Sequence, residues 1–207
     1  MEFIAYPHRH ADTVLSLPEH IKEWEEIKFA IERISDDQLR DEFEARTVNK
    51  GKSISIVINT LIHNNLTSNG WVSEVPIFHD PLYGGQREKG RWRLDFAKKD
   101  ISVEVAFNHG EATSWNLLKP VLASELNHVE KAIQTKIGVM IFATEKMKQA
   151  GGFDGAVGTY EKAITYLKPL NNLLSVPIML IGLLPPKTFK IDVRQEGAKK
   201  VGYIVGL

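Results

Sequence analysis

The segment Arg91–Glu111, RWRLDFAKKDISVEVAFNHGE, contains two stretches in which apolar and polar residues alternate, separated by a basic AKKD sequence. Successive side chains of a β-strand point to opposite faces, so this period of two predicts a β-hairpin. One face of the hairpin is apolar and can pack on a core. The other face carries Asp95, Glu104 and Asn108, and this polar face is where we expect the chemistry of the chain.

The two acidic residues of this hairpin are expected to lie near each other. If the AKKD sequence forms the turn, Phe96 lies opposite Ile101, and Asp95 lies opposite Ser102 and diagonal to Glu104. Diagonal neighbours are roughly 7–8 Å apart, so the two carboxylates can converge on one divalent cation. The alternative is an ordinary solvated hairpin face. The apolar surroundings of Glu104 weaken that alternative, because an unpaired carboxylate in a buried strand is costly.

The composition is that of a globular protein, with 43% hydrophobic and 25% charged residues in 207. The sequence has no cysteine, which excludes disulfides and thiolate metal sites. No stretch approaches the roughly 20 apolar residues of a membrane span, and the N-terminus lacks the pattern of a signal peptide. We therefore expect a cytoplasmic protein with no membrane partner. The formal net charge of zero argues weakly against indiscriminate nucleic-acid binding.

Hydrophobic periodicity predicts helices before the hairpin and alternating helices and strands after it. The predicted helices are 19–34, 38–44, 113–134 and 159–168, and residues 54–65 fit a helix or a strand. The predicted strands are 71–78, 137–143 and 176–184, with one or two edge strands in 190–207. This order indicates the α/β class, with a mixed central β-sheet flanked by helices. We expect a single domain, 1–207, with an N-terminal helical part (about 1–68), a core (about 70–185) and a C-terminal tail (186–207).

A glycine-rich loop, Gly151–Gly158, precedes the helix that begins at Thr159. Its glycines permit backbone amides to approach a phosphate, but they equally permit an ordinary turn. The loop lacks the spacing of a nucleotide-binding P-loop.

The order of these motifs resembles the PD-(D/E)XK nuclease core, and within it the type II restriction endonucleases of the BglII/BstYI group. The resemblance rests on the sequence LDFAKKDISVEVAFN, with support from GWVSEVPI upstream and from TYE and VPIMLIGL downstream. Together these motifs cover about residues 50–184. The resemblance implies a restriction-endonuclease-like core.

In such an enzyme, Asp95 and Glu104 are the metal-site carboxylates and the backbone carbonyl of Val105 is a further Mg²⁺ ligand. Glu74 corresponds to an additional acidic residue of the active site. The sequence departs from the family at Ala106, where the wider superfamily has Lys and this group has Gln or Glu. The resemblance leaves open which residue positions the nucleophile, and the nearby candidates are Glu74, Glu111 and Lys119.

Several residues near the hairpin and the glycine loop are candidates for contacting DNA. They are Asn108, His109, Lys98, Lys99, Gly155 and Thr159. Asparagine can pair with adenine through two hydrogen bonds, whereas the alternative for Asn108 is a hydrogen bond to backbone at the end of a strand.

The expected function is Mg²⁺-dependent hydrolysis of double-stranded DNA at a short palindrome, such as the GATC-centred RGATCY or AGATCT. A palindromic target implies a homodimer, and the helix Thr113–Gln134 is the first candidate for its interface. One alternative is a sequence-specific DNA-binding protein of the same fold that has lost cleavage, as Ala106 suggests. The others are a metal-dependent repair or structure-specific nuclease, and an α/β domain in which the acidic hairpin is only structural.

Overall fold

The computed structural model describes residues 1–46, 51–84, 92–125 and 128–207, and a mixed six-stranded sheet lies at its centre. The strand order is β1-β6-β5-β4-β3-β2, and a separate two-stranded sheet pairs β7 with β8. The strands are β1 Phe3–His8, β2 Val72–Pro76, β3 Arg93–Lys98, β4 Ile101–Val105, β5 Ile137–Ala143, β6 Ile178–Leu183, β7 Phe189–Glu196 and β8 Lys199–Gly206. The helices are α1 Ala11–Leu15, α2 Ile21–Glu32, α3 Asp36–Glu44, α4 Ser55–Ser68, α5 Pro81–Gly84, α6 Thr113–Ser124, α7 Glu145–Ala150 and α8 Tyr160–Leu167.

Helices cover both faces of the central sheet, as the sequence predicts for the α/β class. In β5, Val139 and Ile141 pack into a cluster with α2, α3 and α4. The alternate residues Met140 and Phe142 pack into a second cluster with α6 and α8. The continuous apolar run of β5 is therefore explained by burial on both faces. In the part of the chain that is described, no helix is both long and apolar enough to cross a membrane.

The β3–β4 hairpin forms as predicted, but its register differs from the expected one by two residues. Phe96 lies opposite Val103, and Lys98 lies opposite Ile101, so the turn contains only Lys99 and Asp100. Lys99 adopts a left-handed conformation, with φ of 48°, which such a tight turn requires. The expected pairing of Phe96 with Ile101 is therefore wrong.

The helix predicted over Thr113–Gln134 is too long, because α6 ends at Ser124. The segment that follows forms backbone hydrogen bonds beside the end of β2 instead. Ala132 N donates to Ile77 O at 2.9 Å, and His79 N donates to Glu130 O at 3.0 Å. These non-local hydrogen bonds outweigh the helical pattern of the sequence in that segment.

Both ends of the chain pair differently from the prediction. The C-terminal strands were expected at the edge of the main sheet, but β7 and β8 pair only with each other among the described residues. The edge beside β6 is occupied by β1, which the sequence did not indicate. Pro7 lies in β1, where the lack of an amide hydrogen is tolerated because one side of an edge strand has no partner. The N-terminal part is therefore not purely helical.

Candidate active site

The two acidic side chains of the hairpin bridge β3 and β4 at the point where the regular pairing of the strands ends. Continuing the register beyond the Phe96–Val103 pair brings Asp95 opposite Glu104. Val105 N donates to Asp95 Oδ2 at 2.7 Å, and Asp95 N donates to Glu104 Oε1 at 3.2 Å. The side chains thus replace backbone hydrogen bonds, and this fixes the two carboxylates beside each other.

Lys119 of α6 forms an ion pair with Glu104 beneath this bridge. Its Nζ donates to Glu104 Oε2 at 2.6 Å, and the Lys119 and Glu104 side chains are only 8% and 3% exposed. Ala106, two residues after Glu104, is buried in the cluster that contains Leu117 of the same helix. The ammonium group next to the acidic pair therefore comes from α6 and not from position 106 of the strand.

The electrostatic environment of the site disfavours two ionised carboxylates. Burial, with the nearby Asp95, raises the pKa of Glu104 to about 8 despite the opposing effect of Lys119. Burial also raises the pKa of Asp95, and the negative charge of Glu74 acts in the same direction. The site therefore holds more potential negative charge than the Lys119 ammonium offsets.

Glu74 lies on β2, the neighbour of β3 on the side away from β4. Ser73 pairs with Phe96 and Val75 with Leu94, so the register places Glu74 opposite Asp95. Glu74 has a φ of 54°, a left-handed conformation that is uncommon for a residue other than glycine. Glu74, Asp95 and Glu104 therefore occupy one row across three adjacent strands.

A pocket of about 260 Å³ opens beside this row. Its lining residues are Asn59, His63, Glu74, Asp95, Phe96 and Val105. Asn59 and His63 come from α4 and were not found by sequence reasoning. Their spacing of four residues is a weak signal, because it puts two polar groups on one helical face without indicating that this face meets the hairpin.

The donor set suits a divalent cation that prefers oxygen ligands, such as Mg²⁺. The Asp95 and Glu104 carboxylates and the Val105 carbonyl are all hard oxygen donors. No group of three or more His, Cys, Asp and Glu side chains with metal-binding geometry occurs among the described residues. Two carboxylates and one carbonyl leave the remaining positions to water, as Mg²⁺ commonly requires. A cation there would also offset the excess negative charge.

The segment after β4 packs against the glycine-rich loop. His109 forms a bridge with Val157, and Gly158 N donates to the Asn108 carbonyl at 3.0 Å. A Cβ at Gly158 would lie 2.6 Å from the Thr113 hydroxyl oxygen, so this close approach requires glycine. Asn108 and His109 are both exposed beside this loop.

A third residue that the sequence did not reveal is Asn116 of α6. Asn116 is buried, and its Nδ2 donates to Asn108 Oδ1 at 2.9 Å. The side chain of Asn108 is thereby oriented by α6, although the residue itself is exposed.

The remaining candidate residues lie in different environments. The Lys98 ammonium donates to Glu26 of α2 at 2.7 Å, and Lys99 pairs with Glu23 of α2 at 2.6 Å. These two lysines therefore attach the hairpin turn to α2. Gly155 and Glu111 are exposed, and Glu111 is not among the pocket-lining residues. Thr159 is buried.

The buried hydroxyl of Thr159 already has two partners. It accepts from Lys162 N at the start of α8, and it donates to Glu145 Oε1 at 2.8 Å. We therefore leave Thr159 out of the DNA-contact set proposed below.

A sequence model described as restriction endonuclease BglII/BglIII matches residues 3–183 of the chain. The crystal structure of the restriction endonuclease BglII complexed with a DNA 16-mer is similar, with a TM-score of 0.67 and 22% identity over 100% of both chains. The crystal structure of free BglII has a TM-score of 0.56 and 20% identity, again over 100% of both chains. No curated protein sequence matches the chain significantly.

Proposed function

Because the chain belongs to the restriction endonuclease BglII/BglIII family, and so to the type II site-specific deoxyribonucleases, we propose that it cleaves double-stranded DNA at a short palindrome with Mg²⁺ as cofactor. The observation that carries this proposal is the pair formed by the half-buried Asp95 and the buried Glu104, joined by the hydrogen bonds of Val105 N and Asp95 N. A GATC-centred hexamer of the RGATCY or AGATCT type is the expected target.

Asp95, Glu104 and the Val105 carbonyl are the proposed Mg²⁺ ligands. When bound, Mg²⁺ supplies a water of lowered pKa and stabilises negative charge on the phosphate oxygens. The chain itself fixes the ligands, since each carboxylate is held by a backbone amide of the opposing strand. Glu74, in the same row of the sheet, adds a hydrogen-bond acceptor at the solvent-facing side of the site.

Lys119 is proposed to supply the positive charge that the Lys of the wider superfamily would supply at position 106. Its ammonium group lies 2.6 Å from Glu104 and on the side of the sheet where Ala106 is buried. An ammonium has three donors, so contact with Glu104 leaves donors for a water beside the carboxylate. Glu111 is the weaker candidate, because it is exposed and a carboxylate cannot supply positive charge.

Moving the lysine between the two positions tests this role. Lys119→Ala should lower the cleavage rate at least about 100-fold, because a buried charged donor is lost. In Lys119→Ala/Ala106→Lys the new ammonium starts from the end of β4, two residues after Glu104, and we expect partial recovery of the rate. Ala106→Lys alone is the control for overpacking. If Lys119→Ala folds normally and cleaves like the wild type, Lys119 has no role in the reaction.

Asn108 and His109 are proposed to contact the bases, with the loop around Gly155 beside them. Asn108 is exposed and is held by Asn116, which orients its amide for two hydrogen bonds with one base. The loop is attached to this segment through the His109–Val157 bridge. Lys98 and Lys99 are weaker candidates for contacting DNA because of their pairing with α2.

A palindromic target is cut on both strands most simply by a two-fold symmetric dimer, so we propose a homodimer. The half-exposed apolar residues Leu118 and Val121 make α6 the first candidate for the interface. Leu118→Asp should convert the dimer into a monomer in sedimentation velocity. A dimer that persists in this variant would place the interface elsewhere.

The burial of Ala106 in an apolar cluster favours one second candidate function, a DNA-binding protein that has lost cleavage. Digestion of plasmid DNA by the purified protein, with Mg²⁺ or with EDTA, separates the two functions. Discrete Mg²⁺-dependent fragments support the endonuclease, and sequencing their ends gives the recognition site. Site-specific binding without cleavage would support the second function.

A further inference from the structure

The pocket beside the acidic row has an uneven distribution of hydrogen-bonding groups. The Val105 carbonyl accepts hydrogen bonds and cannot donate them. The same is true of the Glu74 and Asp95 carboxylates when they are ionised. Phe96 is apolar. Among the described lining residues, the side chains that can donate are those of Asn59 and His63.

An anionic group bound in this pocket needs donors as well as acceptors. Ionised carboxylates repel a phosphate, and a cation held by Asp95 and Glu104 offsets only part of that repulsion. Lys119 is buried and engaged with Glu104, so it lies below the pocket and not on its wall. The wall formed by α4 is therefore the part of the described pocket that can bind phosphate oxygens.

The geometry of α4 presents its two donors together. Asn59 and His63 are separated by four residues and so lie on the same helical face, one turn apart. The ring of His63 packs against that of Phe96, with centroids 5.6 Å apart and an interplanar angle of 57°. Phe96 follows Asp95 directly on β3, so this contact couples the position of α4 to the acidic strand.

We propose that Asn59 and His63 bind a backbone phosphate of the DNA at or next to the bond that is cleaved. This inference rests on the proposed endonuclease function and adds α4 to it as the element that holds the phosphate against the acidic row. Asn59 contributes its side-chain amide hydrogens, and His63 contributes a ring N–H. Both are substrate contacts, and neither is required to transfer a proton.

Affinity measurements on neutralised phosphates test the proposal directly. The probes are short fluorescent duplexes that contain the mapped cleavage site, with one phosphate at a time replaced by an uncharged methylphosphonate. Affinity is measured by fluorescence anisotropy in Ca²⁺, and single-turnover cleavage in Mg²⁺ is measured separately. The variants are His63→Ala, His63→Gln and Asn59→Ala, and Asn64→Ala is the matched control on an exposed position of the same helix.

On the unmodified duplex, His63→Ala should weaken affinity and slow cleavage by about 10- to 100-fold, and Asn59→Ala by about 10-fold. His63→Gln keeps a donor and should recover part of this loss, whereas Asn64→Ala should match the wild type. At one methylphosphonate position, the loss of affinity caused by His63→Ala should shrink to less than about twofold, because the contacted charge is already absent.

Two results would overturn the inference and are distinguishable. If the wild type cleaves specifically but the effects of the variants and of every methylphosphonate are additive, α4 does not bind phosphate and the endonuclease assignment stands. If the wild type cleaves no DNA, the proposed function fails and this inference fails with it.

Discussion

Replacing the buried Glu104 with glutamine should remove part of the loss of stability that the metal-free protein undergoes as the pH rises from about 5 to 8. Glu104 is 2% exposed, and its pKa is raised from 4.5 to about 8. The folded protein therefore holds a proton that the unfolded chain has released between pH 4.5 and pH 8. The folded protein binds more protons than the unfolded chain in this window. The free energy of unfolding therefore falls as the pH rises from 4.5 towards 8. Glutamine does not titrate, so the variant escapes this loss.

The size of the effect follows from the difference between the two pKa values. At roughly 1.36 kcal/mol per pKa unit, the shift corresponds to an upper limit of about 5 kcal/mol across the window. Only the pH dependence is compared between the two proteins. Any pH-independent cost in the variant, such as a change in packing, does not enter this comparison.

Urea denaturation in EDTA at pH 5, 6, 7 and 8 measures this difference. The free energy of unfolding of Glu104→Gln minus that of the wild type should rise steadily with pH. Glu111→Gln, which removes an exposed carboxylate from the same region, should follow the wild type. Addition of Mg²⁺ at pH 8 should stabilise the wild type but not Glu104→Gln. If the wild-type and Glu104→Gln curves remain parallel from pH 5 to pH 8, the pKa of Glu104 is not raised and this reasoning is refuted.

Asp95→Asn should lower the cleavage rate at least about 100-fold in a plasmid assay while specific DNA binding persists, and loss of the circular-dichroism spectrum would instead indicate a folding role. Asn108→Ala should reduce discrimination at one base pair by about 1–3 kcal/mol in competition binding, whereas a uniform loss across all sequences would remove Asn108 from the reading set. Gly158→Ala places a Cβ 3.2 Å from Gly110 Cα and 2.6 Å from the Thr113 hydroxyl oxygen, so it should lower the free energy of unfolding by about 1–3 kcal/mol. An unchanged urea midpoint would show that the loop can move away.

The sequence predicted the elements whose pattern is local. The period of two in the hairpin identified the strands that carry Asp95 and Glu104, because alternation directly separates a buried face from a polar one. The continuous apolar runs identified β5 and β6, and the end of the glycine-rich loop identified the start of α8. The order of these elements was sufficient for the family resemblance, which the match over residues 3–183 confirms.

Local pattern was insufficient where two conformations satisfy it equally. A four-residue turn and a two-residue turn leave the same residues of the hairpin alternating, so the register was predicted with an error of two residues. The helical pattern after Ser124 was also misleading, because hydrogen bonds with the end of β2 determine the conformation of that segment.

What the sequence by itself determined is the acidic hairpin and the layered fold around it. Only the tertiary structure decided that Lys119 reaches Glu104 from α6, that Glu74 lies in the row of Asp95, and that Asn59 and His63 line the same pocket. The physical reason is that these contacts depend on how β2 pairs with β3 and on how α4 and α6 pack on opposite faces of the sheet. Packing and pairing bring together residues 15 to 46 positions apart in the chain, and the periodicity of either helix alone does not specify its partner.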